Sequence, residues 1–381
     1  MKKTFLIKLL SFSLLLFLIL PQSLSFAEPT IETEAESVIL VEAHSGRVLY
    51  EKNADKPLPP ASVTKIMTLL LVMEAIEEGK IALDDMVSVS ERAASMGGSQ
   101  VYLEPGEQMS VDEMIKCVVV ASANDAAAAL AEHVAGSLES FVDRMNKRAG
   151  ELSMTATHFE NTNGLDDTTS NHVTSAGDIA IMSRALLKYD KILEYTCIWM
   201  DTVRNGAFGL TNTNRLIRFY KGANGLKTGY TSSAGFCISA TAKRDDMQLI
   251  AVVMASPTSN ERNATAVRLL DYGFANYELF KSEQPQLCEL AVLAGKQQAV
   301  PLSYGVLSMV LEKGQGKRVE VTVELPERLV APVAAGQVVG KISWTLDGKE
   351  LGCADITAKE SVKRLTVLDL FVKLFRSYTL F

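Results

Sequence analysis

The motif Ser62-Val63-Thr64-Lys65 combines a hydroxyl with an amine, the two groups that a serine nucleophile and its base require. Side chains three residues apart in a helix lie on one face, so these two can meet. A buried lysine gives up its charge more easily, and the neutral amine can then accept the serine proton. The motif occurs once, directly after Pro59-Pro60, on a run so apolar that a solvated lysine fits it poorly.

A second motif, Ser122-Ala123-Asn124, lies between two predicted helices, 111–120 and 125–135. A hydroxyl and an amide that are held in such a break can project into a site. Serine and asparagine are also common capping residues at helix starts. The motif taken alone therefore predicts either a polar contribution to a site or a helix cap.

A third motif, Lys227-Thr228-Gly229, comes shortly before a strand that begins at Gly235. A cation and a hydroxyl on a strand can hold a carboxylate. Gly229 would leave room for a substrate backbone to pair along the strand edge. The alternative is an ordinary turn, because this tripeptide is not specific by itself.

The elements around these motifs indicate an α+β domain in which helices pack on an antiparallel sheet. A hairpin pattern covers 38–50, and a helix starting at Ser62 is apolar on nearly every side, which predicts a buried central helix. More helical patterns follow at 111–120, 125–135, 138–152 and 176–189, then strands at 235–242 and 247–255 and a helix at 262–277.

The composition excludes several classes of function. Removing residues 1–27, which hold three lysines and no acidic residue, takes the formal charge from −7 to −10. A chain this acidic lacks the basic surface that nucleic-acid binding needs, so we expect no nucleic-acid partner. The histidines and cysteines form no HxxH, HExxH or CxxC pattern, so we expect no zinc site built from these residues.

Residues 1–27 have the pattern of an export signal. Three lysines precede an apolar run, Leu9–Leu20, and Ser25-Phe26-Ala27 is a small-x-small cleavage site. The alternative is an uncleaved membrane anchor, but the apolar run is short. We therefore expect an exported protein.

The remaining chain divides into three parts by composition. We expect a catalytic domain over 28–284, a small all-β domain over 285–360 with strands at 320–325, 338–346 and 351–356, and an amphipathic helix over 361–381. Asp369 and Lys373 make a spanning helix costly, so this helix is expected to lie on the membrane surface. The alternative is a helix packed on its own domain.

Together the three motifs, in this order, resemble the signature of penicillin-recognising serine acyltransferases. The runs at 45–68 (SGRVLYEKNADKPLPPASVTKIMT), 122–132 (SANDAAAALAE), 163–167 (NGLDD), 212–217 (NTNRLI) and 225–237 (GLKTGYTSSAGFC) are similar to the D-alanyl-D-alanine carboxypeptidases among the low-molecular-mass penicillin-binding proteins. The similarity is greatest to the carboxypeptidases of spore-forming bacteria, including the sporulation-associated one. The resemblance implies the fold of the penicillin-binding and β-lactamase-like transpeptidase domain.

The resemblance also implies roles for the residues of the first two motifs. Ser62 would be the nucleophile that the substrate acylates, and Lys65 would be its general base. Ser122 would pass a proton to the leaving amine, and Asn124 would hold the substrate amide.

For the third motif, the resemblance implies that Lys227 and Thr228 bind the terminal carboxylate, beside Gly229. The backbone N–H groups of Ser62 and Tyr230 would form the oxyanion hole, and several relatives have histidine in place of this tyrosine. Arg262 would support the carboxylate, although a solvated arginine at a helix start is an equal alternative.

The implied activity is removal of the terminal D-Ala from peptidoglycan stem peptides through an acyl-enzyme, without a metal or other cofactor and with covalent inhibition by β-lactam antibiotics. The implied place of work is the outer face of the cytoplasmic membrane. One alternative is a class A-like β-lactamase, but the run 160–163 lacks the Glu-x-x-Leu-Asn pattern of that class. The other is a non-enzymatic penicillin-sensing module with a vestigial site.

Overall fold

The computed structural model describes residues 31–167, 169–282 and 289–378, and the side chains of this range up to residue 372. The predicted signal peptide over 1–27 lies outside the described residues, as does the end of the predicted C-terminal helix. The domain boundaries at 284 and 360 stay predictions.

The strands of the N-terminal part are β1 (Ser37–Glu42), β2 (Val48–Lys52), β3 (Met86–Ser88), β4 (Gln108–Ser110), β5 (Met200–Val203), β6 (Phe208–Thr211), β7 (Ala223–Thr231), β8 (Gly235–Arg244) and β9 (Met247–Ser256). Five of them form an antiparallel sheet with the order β2-β1-β9-β8-β7. Two small two-stranded sheets, β3–β4 and β5–β6, lie outside it.

Among the described residues of this part, five helices have 11 to 18 residues and the other four have six or fewer. They are α1 (Lys65–Glu77), α2 (Glu91–Ala94), α3 (Val111–Lys116), α4 (Asn124–Ala135), α5 (Leu138–Glu151), α6 (Ala176–Leu186), α7 (Lys191–Thr196), α8 (Leu216–Phe219) and α9 (Ser259–Asn276).

The middle of the sheet is covered on both faces, which explains why its strands are almost continuously apolar. Ile39 and Val252 belong to the core that the sheet shares with the helical cluster. Leu40 and Leu249 point the other way, against Gly273 of α9. The antiparallel sheet with a helical cluster confirms the predicted α+β class.

Helix α1 runs through the helical cluster, and its side chains from Lys65 to Met73 are all buried. A short 3₁₀ turn, Ala61–Thr64, precedes it and follows Pro59-Pro60. A helix that is apolar all round is expected in the middle of a domain, and α1 lies there. The side chains of the first turn of this helix are therefore buried in the core of the helical cluster.

The part of the chain that follows α9 is built from β-strands, and the first of them lies before the predicted boundary at 284. Its strands are β10 (Tyr277–Lys281), β11 (Leu290–Leu293), β12 (Ala299–Val300), β13 (Leu302–Tyr304), β14 (Ser308–Glu312), β15 (Val319–Glu324), β16 (Leu329–Val330), β17 (Val338–Leu346) and β18 (Lys349–Ala358). The four-stranded sheet β13-β18-β17-β15 is the largest, and it packs around buried Ile342, Trp344 and Ile356. A final helix, α10 (Val367–Tyr378), follows.

Candidate active site

The predicted nucleophile, Ser62, lies in the 3₁₀ turn that opens into α1. The preceding residue, Ala61, has a φ of +47°, a conformation that most side chains avoid. Gly164, with a φ of +85°, packs so closely on this turn that a Cβ there would come within 1.8 Å of the carbonyl oxygen of Ala61. The neighbouring loop therefore fixes the backbone that presents the hydroxyl.

The side chain of Lys65 is fully buried and makes three hydrogen bonds. Its Nζ lies 2.9 Å from Ser62 Oγ, 2.5 Å from Asn124 Oδ1 and 2.8 Å from the carbonyl oxygen of Asn163. Burial and the nearby charge of Lys227 lower the pKa of Lys65 well below its ordinary value, while Asp125 acts in the opposite direction. The site therefore favours a neutral amine beside the hydroxyl.

Ser122 and Asn124 lie at a break between helices, and neither is the N-cap of the helix that follows. A π-helical turn, Cys117–Ala121, ends at Ser122, which has a left-handed backbone with a φ of +61°. The N-cap of α4 is Ala123, without a side-chain cap. The Asn124 amide instead donates to the carbonyl oxygen of Gly97 at 2.7 Å and accepts from Lys65. The capping alternative is therefore wrong for this motif.

The third motif lies on β7, at the edge of the sheet, so the turn alternative is wrong. The strand passes close to the nucleophile, because a Cβ on Gly229 would come within 3.0 Å of the backbone nitrogen of Ser62. Lys227 is buried, and its Nζ donates to the carbonyl oxygen of Thr228 at 2.9 Å. Burial, followed by the charge of Arg262, lowers the pKa of Lys227 to about 7.

Arg262 is buried, so the solvated alternative is wrong, and it lies one turn inside α9 instead of opening that helix. Its guanidinium donates to Asn263 Oδ1 at 2.9 and 3.1 Å and lies 6.0 Å from the centre of the Phe236 ring. Burial lowers its pKa to about 10. Within the described part of the chain, neither Arg262 nor Lys227 forms an ion pair with a carboxylate.

Tyr230 follows Gly229 on the same strand. Its side chain is half exposed, with its ring stacked 4.3 Å from that of Phe236. The Tyr230 ring therefore stands at the surface, one residue after Gly229, and is joined through Phe236 to the guanidinium of Arg262.

Three contributors to the site were not assigned a role from the sequence. The carbonyl of Asn163 accepts from Lys65, and the hydroxyl of Thr213 accepts from that of Thr228 at 2.8 Å. The buried carboxylate of Asp125 raises the pKa of Lys65. The runs containing these residues were visible in the sequence, but no pattern predicts which backbone carbonyl faces a lysine.

The loop that carries Asn163 is tied to the start of α1 by His172. The Nδ1 atom of His172 accepts from the backbone N–H of Glu160 at 2.9 Å, so Nε2 carries the proton and donates to Thr64 Oγ1 at 2.8 Å. Thr68 adds a hydrogen bond to the carbonyl of Thr162 at 2.6 Å. Burial lowers the pKa of His172 to about 4.

Family models match both parts of this chain. A family model described as D-alanyl-D-alanine carboxypeptidase matches residues 23–258, and one described as the C-terminal domain of penicillin-binding protein 5 matches residues 274–364. This chain belongs to the D-alanyl-D-alanine carboxypeptidase family. The recognition made from the motifs is confirmed.

Individual relatives cover nearly the whole chain. The D-alanyl-D-alanine carboxypeptidase DacF of Bacillus subtilis is 43% identical over 91% of this chain and 91% of its own length. The carboxypeptidase DacC of Escherichia coli is 37% identical over 92% of this chain and 90% of its own length. The Bacillus relative fits the predicted similarity to proteins of spore-forming bacteria.

Solved structures show the same fold. Penicillin-binding protein 5 of Haemophilus influenzae is 33% identical, with a TM-score of 0.72 over 89% of this chain and all of that one. Penicillin-binding protein D2 of Listeria monocytogenes in its ampicillin-bound form is 31% identical, with a TM-score of 0.60 over 65% of this chain and all of that one. The predicted fold class, with a second all-β domain, is confirmed.

His172 gives a prediction about stability and pH. The unfolded chain binds a proton at this residue below about pH 6.5, whereas the folded chain resists it until about pH 4, so stability falls as the pH drops through this window. The shift corresponds to about 3 kcal/mol. Urea unfolding of wild type and His172→Gln at pH 7 and pH 4.5 should show a smaller acid loss in the variant, since glutamine can make both hydrogen bonds without titrating. An equal acid loss in both proteins would contradict this account.

Proposed function

We propose that this protein is a serine DD-carboxypeptidase that removes the terminal D-Ala from peptidoglycan stem peptides through an ester on Ser62. The observation that carries the proposal is the buried Lys65, whose Nζ lies 2.9 Å from Ser62 Oγ and whose pKa is lowered by burial. Membership of the carboxypeptidase family supports the same chemistry.

The hydrogen bonds of Lys65 favour proton transfer from the nucleophile. A neutral amine has two hydrogens and one lone pair. Asn124 Oδ1 and the carbonyl oxygen of Asn163 can accept the two hydrogens, at 2.5 and 2.8 Å. The lone pair then points towards the third partner, Ser62 Oγ, and can take its proton as the oxygen attacks the peptide carbonyl.

The bond to D-Ala then breaks, and its nitrogen must receive a proton as it leaves. Ser122 is the residue we assign to this transfer, because the end of the π-helical turn holds it at the same break as Asn124. Water completes the cycle by hydrolysing the ester, which releases the shortened peptide and restores the Ser62 hydroxyl. The N–H groups of Ser62 and Tyr230 are assigned to the developing oxyanion.

The side chains of Lys227 and Arg262 favour a substrate that carries a free C-terminal carboxylate. Two buried basic side chains without a carboxylate partner in the described chain are costly to charge unless an anion joins them. The hydroxyls of Thr228 and Thr213 lie 2.8 Å from one another beside Lys227 and can complete the anion site. Because β7 is an edge strand, a peptide can also pair with its free side.

The same site accounts for penicillin binding, since a penicillin carries both a reactive amide and a carboxylate. A class A-like β-lactamase would need a glutamate to activate water against the penicilloyl ester. Glu160 has another task here, because its carboxylate accepts from the backbone N–H groups of Ser170 and Asn171 at 2.8 and 3.1 Å. We therefore expect slow release of the penicilloyl group.

Incubation with penicillin, followed by intact-mass measurement, should show an adduct that lasts minutes or longer. The wild-type protein should also release D-Ala from diacetyl-Lys-D-Ala-D-Ala, and Ser62→Ala should abolish both reactions. Penicillin turnover on the order of 10 per second, a typical enzyme rate, would favour a β-lactamase instead. A lasting adduct without D-Ala release would favour the sensing module.

We also propose that the protein is exported and that α10 holds it at the outer face of the cytoplasmic membrane. Val367, Leu368 and Phe371 expose their apolar side chains, between 67% and 86% of each. Asp369 pairs with Lys296 of the β domain at 2.9 Å, which fixes the start of the helix while these side chains face outward. No helix among the described residues is long and apolar enough to cross a membrane.

Deleting residues 366–381 tests this proposal without disturbing the β domain. Val362 is buried and pairs with Val333, so the deletion must start after it. Vesicles of anionic lipid should retain the mature full-length protein on sedimentation but not the truncated one, and both should release D-Ala equally from a soluble peptide. Equal sedimentation of the two proteins would contradict the role of α10.

A further inference from the structure

Tyr102 occupies a position that the fold alone does not explain. Its side chain is 70% exposed, and its φ is +56°, in the left-handed region that bulky residues rarely adopt. An exposed aromatic ring contributes little to the core, while the backbone conformation carries a cost of about 1–3 kcal/mol. Both features favour a small residue at this position.

Two buried or half-buried side chains hold the backbone of Tyr102 in this conformation. The carboxylate of Asp125 accepts from the N–H groups on either side, those of Val101 and Leu103, each at 3.1 Å. From the other direction, the guanidinium of Arg204 donates to the carbonyl oxygens of Val101 at 2.8 Å and Tyr102 at 3.1 Å. Because Asp125 directly follows Asn124, the strained segment is fixed to the site itself.

The ring links the loop that binds Asn124 to the strand that leads to Thr213. That loop lies between α2 and β4 and includes Gly97, whose carbonyl oxygen accepts from the amide of Asn124. The ring contacts Phe208 edge to face, with centroids 6.3 Å apart. Strand β6, which begins with Phe208, leads to Thr213, the residue that binds Thr228.

We propose that Tyr102 is a specificity-determining residue whose ring packs against the side chain of the acyl-donor residue, the one that precedes D-Ala-D-Ala. This inference rests on the proposed function. Asn124 is assigned to the substrate amide, and the loop that binds Asn124 also carries the ring, so we place the ring against the side chain next to that amide. A tyrosine ring offers a rigid apolar surface with few rotamers to lose, which suits a long aliphatic side chain.

A purely structural role for Tyr102 predicts a different outcome on substitution. Asparagine adopts the left-handed conformation more easily than tyrosine does, so Tyr102→Asn relieves strain under either hypothesis and should keep or raise the Tm. Only the specificity role predicts that the better-folded variant discriminates less between substrates.

The test compares kcat/KM for diacetyl-Lys-D-Ala-D-Ala with that for acetyl-Gly-D-Ala-D-Ala, which lacks the long side chain. In Tyr102→Asn the ratio of the two values should fall about tenfold, the scale of losing a few methylene contacts. Tyr102→Phe keeps the ring and should restore the ratio. Asp245→Gly, at another positive-φ position in the distant β8–β9 turn, is the matched control for relief of strain. A ratio within twofold of wild type in Tyr102→Asn would overturn the proposal.

A second measurement keeps this inference separate from the proposed function. If the wild-type protein releases no D-Ala, the proposed function fails. The rate of acylation by penicillins still shows whether the site near Tyr102 distinguishes acyl side chains. The acylation rate with a penicillin bearing a long alkyl side chain, relative to 6-aminopenicillanic acid, should then fall in Tyr102→Asn and recover in Tyr102→Phe. An unchanged ratio would again overturn the role of Tyr102.

Discussion

The rest of the site depends on an amine that is kept away from water. Removing the charge of Lys65 from water is expensive, and the protein meets this cost by favouring the neutral form and by placing three polar atoms around it. Helix α1 has to be apolar on all sides to keep water out, and the Asn163 carbonyl has to reach it from a separate loop. In the sequence, the apolar residues of α1 look like ordinary core. Their packing also buries Lys65 and lowers its pKa, so the amine can act as a base.

A second constraint comes from the basic side chains of Lys227 and Arg262. The charge of Lys227 lowers the pKa of Lys65, and the charge of Arg262 lowers the pKa of Lys227. A substrate carboxylate beside Lys227 and Arg262 would stabilise the charged form of Lys227 and would partly screen that charge from Lys65. The charge of Lys227 thus favours the neutral base, while a substrate carboxylate supplies the anion that Lys227 and Arg262 do not find among the described residues.

The motif residues could be predicted because their chemistry is local. Ser62 and Lys65 are one helical turn apart, and the order of the three motifs carries the family signature. The fold class followed from long apolar runs such as β9 (Met247–Ser256), which is buried along most of its length. Arg262 was left open in the sequence because burial of one arginine depends on what packs over α9.

Other features could not be predicted because they arise from contacts between distant segments. The Asn163 carbonyl reaches Lys65 only after Gly164, Thr162 and His172 fix the loop on α1. The left-handed backbone of Tyr102 requires Asp125 and Arg204, which are 22 or more residues away along the chain. Short strands such as those of the β5–β6 hairpin have too few residues for a clear alternating pattern.

The central claim is that Lys65 is neutral when substrate arrives, and its titration can be observed directly. Wild type and Lys65→Arg, both labelled with ¹³C at the lysine ε carbon, can be titrated by NMR, since the signal of Lys65 is the one that the variant lacks. The account predicts that this signal titrates well below those of the exposed lysines, because burial and Lys227 both disfavour the charge. A Lys65 signal that titrates together with the exposed lysines would contradict the account.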